Sequence, residues 1–216
     1  PPPHPPRAPK LQVFNNNSAA DLHGGRQIAT DHTIFWPNFL IVDGQPLTGQ
    51  AGTGQVAANI SRKIDTLLSS GLFGLPIPGA EPAGSSILAK RNLQRGREYG
   101  LPSGQDVAAH LQQDDPSIHV YTNAEIAAAI PRLAFLNDPT ANASYLGKLP
   151  LWLYILAESK IVNGGSKLGP VGSRIVAEVI GGLLVSDVRS YYRRGWTPPG
   201  GVFQAQDLLR EAGVLP

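Results

Sequence analysis

Cysteine is absent from the 216-residue chain, so it can build no disulfide framework, no thiolate ligand and no cysteine-based zinc site. That absence suits a reducing compartment, yet a chain of this length can bury a sizeable core and needs no disulfide outside the cell either. Methionine is absent too, including at position 1. The expectation is a chain processed, cut or split from a longer polypeptide, with any targeting signal upstream of Pro1. No apolar run approaches the ~20 residues that span a bilayer, so no transmembrane segment is expected. Charge is scarce, with a formal net of +2, which gives no reason to invoke nucleic acid or a membrane surface. No repeat with a period of about 20–50 residues is visible.

What is present favours folding, since hydrophobic residues make up 42% of the chain. Residues 1–34 read as a proline-rich, irregular lead-in, and residues 35–216 as a helical part. Residues 1–10 are proline-rich and basic, 15–18 a polar loop, and His23-Gly24-Gly25 a turn. Pro37 breaks the apolar cluster 33–42 into two short pieces. Residues 43–53 read as a glycine-rich loop. Val56, Ile60, Ile64, Leu67 and Leu68 recur at helical spacing and predict a helix over 55–70. Residues 72–84 read as loop.

Ser85 or Ser86 is placed to cap a helix over 87–99, closed by Gly100 and Pro102. Ser103 and Asp106 have capping-box spacing for a helix through Gln113, and Thr122 with Glu125 for another through Ile130. Pro150 is placed at the first position of a helix over 151–162. Residues 163–172 are a glycine loop. Residues 173–188 are apolar on much of their circumference, so Ile175, Val179, Ile180 and Leu183 are expected deep in the core. Gly181 and Gly182 are expected to allow another helix to approach there. A short helix over 203–212 closes the chain. The reading is mainly α.

One helix face is unusual. Leu88, Asn92 and Arg95 fall at i, i+4 and i+7 and share a side of the 87–99 helix. A leucine, an amide and a guanidinium in line suit a partner that is apolar, with a polar atom near its middle and an anion at its edge. A haem seen from its proximal side has that description. Taken alone, Asn92 also reads as a plain surface amide, and Arg95 can pair with Glu98 at i+3.

The string Asn92-Leu93-Gln94-Arg95-Gly96-Arg97-Glu98-Tyr99-Gly100-Leu101-Pro102 resembles the asparagine helix of the animal-type haem peroxidases, the peroxidase–cyclooxygenase superfamily. There the pattern runs Asn-x-x-Arg-x-Arg-acid-x-Gly-Leu-Pro. Glu98 stands where mammalian members usually have Asp, and Tyr99 where a His is common. The blocks Leu149-Pro150-Leu151-Trp152-Leu153-Tyr154-Ile155-Leu156 and Leu168-Gly169-Pro170-Val171-Gly172-Ser173-Arg174-Ile175-Val176-Ala177-Glu178 resemble the C-terminal part of microbial members. So does the tail 203–213. Trp36, Ile64-Asp65 and Leu75-Pro76 are similar in order and spacing, so the resemblance covers roughly 35–213.

The resemblance implies the C-terminal part of a multi-helix haem peroxidase fold. It implies that Asn92 accepts a hydrogen bond from the N–H of the proximal histidine, that Arg95 pairs with a haem propionate, and that Leu88 packs below the ring. The cofactor implied is haem b, with its iron ligand supplied from outside this chain. The family's proximal histidine, distal histidine, catalytic arginine and calcium loop all lie upstream of the matching region. The implied partner is therefore an N-terminal part of the same peroxidase, where calcium would also bind. The implied activity is use of hydrogen peroxide to oxidise small donors, phenols or halides, as in a response to oxidative stress. Two alternatives stand beside it: a haem-free, peroxidase-derived structural or partner-binding fragment, and a fatty-acid dioxygenase of the same superfamily.

Other candidates carry less. His4, His23, His32, His110 and His119 share no metal-ligand spacing and read as solvated or satisfied side chains. His32 is the least implausible lone axial ligand. Asp114-Asp115 reads as solvated. Glu178 lies at i+4 from Arg174 and reads as its ion-pair partner, at least half-buried. The glycine-rich loops 49–54 and 164–172 lack the Lys-Ser/Thr ending of a phosphate loop. Asn16, Asn59 and Asn142 open N-x-S/T triplets, which are weak support for an extracellular location.

Overall fold

The structure is a computed structural model. It describes residues 41–42, 45–46, 63–67, 72–73, 87–140, 148–198 and 200–213. The chain divides into two compact units, Lys63–Gly195 and, separately, Pro1–Arg62 with Trp196–Pro216. The described residues are mainly helical.

In the second of these units, strands β1 (Ile41–Val42) and β2 (Gln45–Pro46) pair antiparallel, Ile41 opposite Pro46 and Val42 opposite Gln45. The sequence between them is Asp43-Gly44, the dipeptide that two-residue hairpins favour. The pairing departs from the reading of a loop beginning at residue 43, and this dipeptide was the available signal. The short C-terminal helix of this unit, Ala205–Glu211, carries a reciprocal cap between Gln204 and Asp207. The lead-in, most of the cluster 33–42, most of the helix expected over 55–70, Gly49–Gly54, and the three N-x-S/T asparagines lie outside the described residues.

The larger unit contains five α-helices among its described residues: α1 (Leu88–Glu98), α2 (Gly104–Asp114), α3 (Asn123–Ala129), α4 (Leu151–Asn163) and α5 (Pro170–Ser186). A 3₁₀ segment, Pro131–Asn137, follows α3 where Pro131 stops the α-helical ladder. Two caps form where the sequence places them, while Pro150, expected at the first helical position, is instead the N-cap residue of α4. The Ser103 hydroxyl accepts from the Asp106 N–H at 3.0 Å. Thr122 and Glu125 form a complete capping box.

The core gathers Ala108 and Leu111 of α2, Ile126 and Ala127 of α3, Leu133 and Leu136 of the 3₁₀ segment, Tyr154 and Ala157 of α4, and Val171 of α5. Between α2 and α4 the backbones come very close. A Cβ on Gly104 would lie 2.0 Å from the Tyr154 Cβ, so only glycine fits.

Two expectations fail. Residues 63–67 are not helical. The Ile64 N–H donates to the Gly165 carbonyl at 2.8 Å, and the Asp65 carboxylate takes the Leu67 N–H at 2.7 Å. A short acidic side chain that bonds its own backbone competes with a helical ladder. The second failure is α5. The helix exists, but only Val171 and Gly172 of it are buried. Val179, Ile180 and Leu183 are 58%, 52% and 66% exposed, and a Cβ on Gly181 or Gly182 would meet nothing within 4 Å. Only its first turns reach the core; Ile175 is half-buried against it. The ion pair of Arg174 with Glu178 does form, but on an exposed surface.

Candidate functional site

Helix α1 carries the Leu88, Asn92 and Arg95 face. It begins one residue inside the expected start, after Ile87, with no side-chain cap. Its end is fixed. Gly100 has φ 62, the left-handed conformation that glycine adopts without strain. The Gly100 N–H donates to the Arg97 carbonyl at 3.1 Å and the Leu101 N–H to the Gly96 carbonyl at 2.9 Å, the paired bonds of a Schellman ending. Leu101 closes over Gly96, its Cδ1 3.6 Å from where a Cβ would stand. The Gly-Leu-Pro part of the motif is thus the device that ends the helix.

No residue of α1 is buried. Leu88 and Asn92 are half-buried and Arg95 is exposed. Glu98 does not pair with Arg95; its carboxylate accepts from the Gln94 amide at 2.8 Å. Among the described residues, neither the Asn92 amide nor the Arg95 guanidinium has a side-chain hydrogen-bond or ion-pair partner. The α1 face therefore offers an amide, with both a carbonyl acceptor and N–H donors, and a permanent cation one turn away. These are the two groups that a porphyrin's outer contacts require, an acceptor for an axial imidazole and a partner for a carboxylate, so the residues fit that part of a haem site.

The iron's own ligand is another matter. His110 is exposed on α2, and His119 joins Glu125 at 2.9 Å. His4, His23 and His32 lie outside the described residues. Among the described residues no three His, Cys, Asp or Glu side chains converge as a metal site.

A second polar centre was not anticipated. Glu158, on α4, is 1% exposed. Its carboxylate accepts from the Val171 N–H, at 3.0 Å to Oε2 and 3.2 Å to Oε1, and from the Gly172 N–H at 3.4 Å. These N–H groups belong to the open first turn of α5, where a carboxylate is favoured by hydrogen bonding and by the helix dipole. Burial nevertheless pushes the Glu158 carboxyl above its usual range, against the opposing pull of those two N–H groups.

The Leu168-Gly169-Pro170-Val171-Gly172 block is explained by this clamp. A Cβ on Gly169 would lie 2.4 Å from Glu158 Oε2, and one on Gly172 would lie 2.7 Å from Ile155 Cγ2. Pro170 opens the helix at a position where its missing N–H costs nothing. With both oxygens engaged by backbone N–H groups, Glu158 is a structural cap.

Gln105 and Tyr154 are clamps of the same kind. The Gln105 amide donates to Asn123 Oδ1 at 3.0 Å, and its oxygen accepts from the Leu149 N–H at 2.8 Å. The Tyr154 hydroxyl accepts from the Tyr121 N–H at 3.0 Å, and burial pushes its pKa up to about 12. The available signal for Glu158 was a carboxylate inside an apolar helix, followed by a Gly-Pro helix opening.

Comparison with family models, with curated proteins and with solved structures found no match to this chain.

Proposed function

We propose that this chain is the proximal-side, C-terminal part of an animal-type haem peroxidase, working with a companion segment that carries the axial histidine. One observation supports the reading above the others: α1 holds an unpartnered amide and an unpartnered guanidinium one turn apart on one face. A lone arginine on a surface is common, and so is an amide. Their alignment with Leu88, on a helix terminated by the rest of the same motif, is what the haem reading uses.

In this reading the Asn92 carbonyl accepts the N–H of the companion's imidazole. That fixes the ring's tautomer and orientation and makes its other nitrogen the stronger donor. The Arg95 guanidinium neutralises a propionate through a charge-assisted pair. Leu88 covers apolar ring surface and excludes water from the amide. When bound, haem supplies the iron centre at which hydrogen peroxide is reduced and a small phenol or halide oxidised. The fatty-acid dioxygenase alternative would use the same proximal contacts.

A second reading is favoured by the uncovered apolar side of α5: a haem-free piece that binds another polypeptide. A haemin titration separates the two. The haem reading expects saturable binding, followed by quenching of tryptophan fluorescence, that weakens at least about tenfold in Arg95→Gln with the circular dichroism unchanged. Absence of saturable binding, or binding by Arg95→Gln equal to that of the unaltered chain, would leave the haem-free reading in its place.

A further inference from the structure

We propose that the exposed side of α5 docks an amphipathic helix of a separate polypeptide, one whose apolar face ends in acidic residues. The inference does not rest on haem and holds whichever reading of α1 stands.

Val176, Val179, Ile180 and Leu183 are exposed by 43%, 58%, 52% and 66%. They stand at i, i+3, i+4 and i+7, so they form one stripe of about 100° on the helix. That is the pattern by which one helix anchors against another. The only charged residues within α5, Arg174 and Glu178, pair with each other on the opposite side.

The end of the stripe is basic. The Ser190 hydroxyl donates to the Leu184 carbonyl at 2.5 Å, which folds the segment after α5 back onto the last turn of the helix. That segment carries Arg189, Arg193 and Arg194, all exposed. Among the described residues the one carboxylate paired with any of them is Asp187, 3.9 Å from Arg189. Arg193 and Arg194 have no acidic partner among the described residues. An occupant that covers the stripe reaches these guanidiniums and must answer their charge.

A second copy does not answer it. Parallel pairing of two α5 helices sets arginines on arginines. Antiparallel pairing sets them over the start of α5, whose own carboxylate, Glu178, is engaged with Arg174 on the side away from the stripe, and Asp114 and Asp115 lie toward that same guanidinium. A lipid surface fits poorly as well. Helices that lie on membranes have a polar face rich in lysine and arginine opposite Trp, Phe or Leu. The polar side of α5 has one arginine and one glutamate, paired with each other, and the exposed aromatics Tyr191 and Tyr192 lie beyond the helix.

The test uses the 216-residue chain and two labelled synthetic peptides of about 20 residues, long enough to form a helix. Both carry the same leucine and isoleucine stripe. One ends in glutamates and the other in lysines, and each is free to dock in either direction. By fluorescence anisotropy at low salt, the glutamate-ended peptide is expected to bind saturably and at least about tenfold more tightly than the lysine-ended one. Ile180→Glu should abolish binding with the circular dichroism unchanged, since the side chain is exposed. Arg193→Glu with Arg194→Glu should reverse the preference between the peptides. Equal binding of the two peptides, or none, overturns the proposal. So does self-association in sedimentation velocity that Ile180→Glu abolishes, or binding to phosphatidylcholine vesicles holding about one-third phosphatidylserine that the same variant abolishes.

Discussion

Asn92 and Glu158 are both polar side chains on helices, and their surroundings ask opposite things of them. Asn92 has no partner among the described residues, so its removal leaves the fold unstrained. In the protein joined to its companion, Asn92→Leu is expected to slow peroxide turnover by about 10–100-fold with thermal stability unchanged; full activity and an unaltered haem spectrum would remove Asn92 from the proximal role. Glu158 and Glu125 make a contrasting pair in acid. Thr122's backbone N–H, then its hydroxyl and His119, hold Glu125 down to about 2, below its ordinary 4.5. A depressed carboxyl contributes stability that is present above pH 4.5 and is lost as pH falls from there toward 2. Glu158 is raised above 4.5 by burial, so its contribution runs the other way, with stability falling as pH climbs past 4.5 toward its folded value. Urea denaturation followed across pH should show a shallower acid limb in Glu125→Gln, the remainder belonging to Asp106 and Asp115, which are also held low, and should lose its fall above pH 4.5 in Glu158→Gln. That Asn92 and Arg95 lie on one helix one turn apart was legible because such placement is set by spacing alone. Glu158 was not, because the groups that hold it lie 13 residues further along the chain.

Among the elements, caps were the most legible feature. Ser103 with Asp106 and Thr122 with Glu125 carry donor and acceptor three residues apart; the first forms a one-way cap and the second the full reciprocal box. Ser103→Ala should cost about 1 kcal/mol, measured by denaturant unfolding. Helix α5 teaches the reverse. Its apolar periodicity shows which side can be covered, and says nothing about whether the covering surface belongs to the same chain. Its glycines now divide by what surrounds them. Gly182→Ala, in open space inside a helix, should stabilise the isolated chain by about 1 kcal/mol. Gly169→Ala drives a methyl into the Glu158 carboxylate and should destabilise by roughly 1–3 kcal/mol. Thermal melts of the two variants, moving in opposite directions, check both. The helix expected over 55–70 fails where it can be seen because Ile64 spends its N–H on Gly165, a partner that no local pattern announces.

For the whole molecule, the proposed companion has a direct measurement. Added haemin should give the isolated chain no histidine-ligated Soret band and no peroxide turnover above that of free haemin. A ligated band with turnover would mean that the chain supplies its own axial ligand. The hairpin of α4 and α5 has a different consequence, one of timing. Its bonds are nearly all local: Glu158 to Val171, the Ser159 hydroxyl to the Lys167 carbonyl at 2.6 Å, the Asn163 amide to the Leu168 carbonyl at 3.0 Å. Closing so short a loop costs little chain entropy, and local contacts form early in folding. The hairpin should therefore assemble before α2 and α3 dock on it, and serve as their template. In pulse-labelling hydrogen exchange, the amides of Val171 and Gly172 should gain protection in the first kinetic phase. Those of Leu149 and Tyr121, bonded across the core to Gln105 and Tyr154, should gain it in a later one.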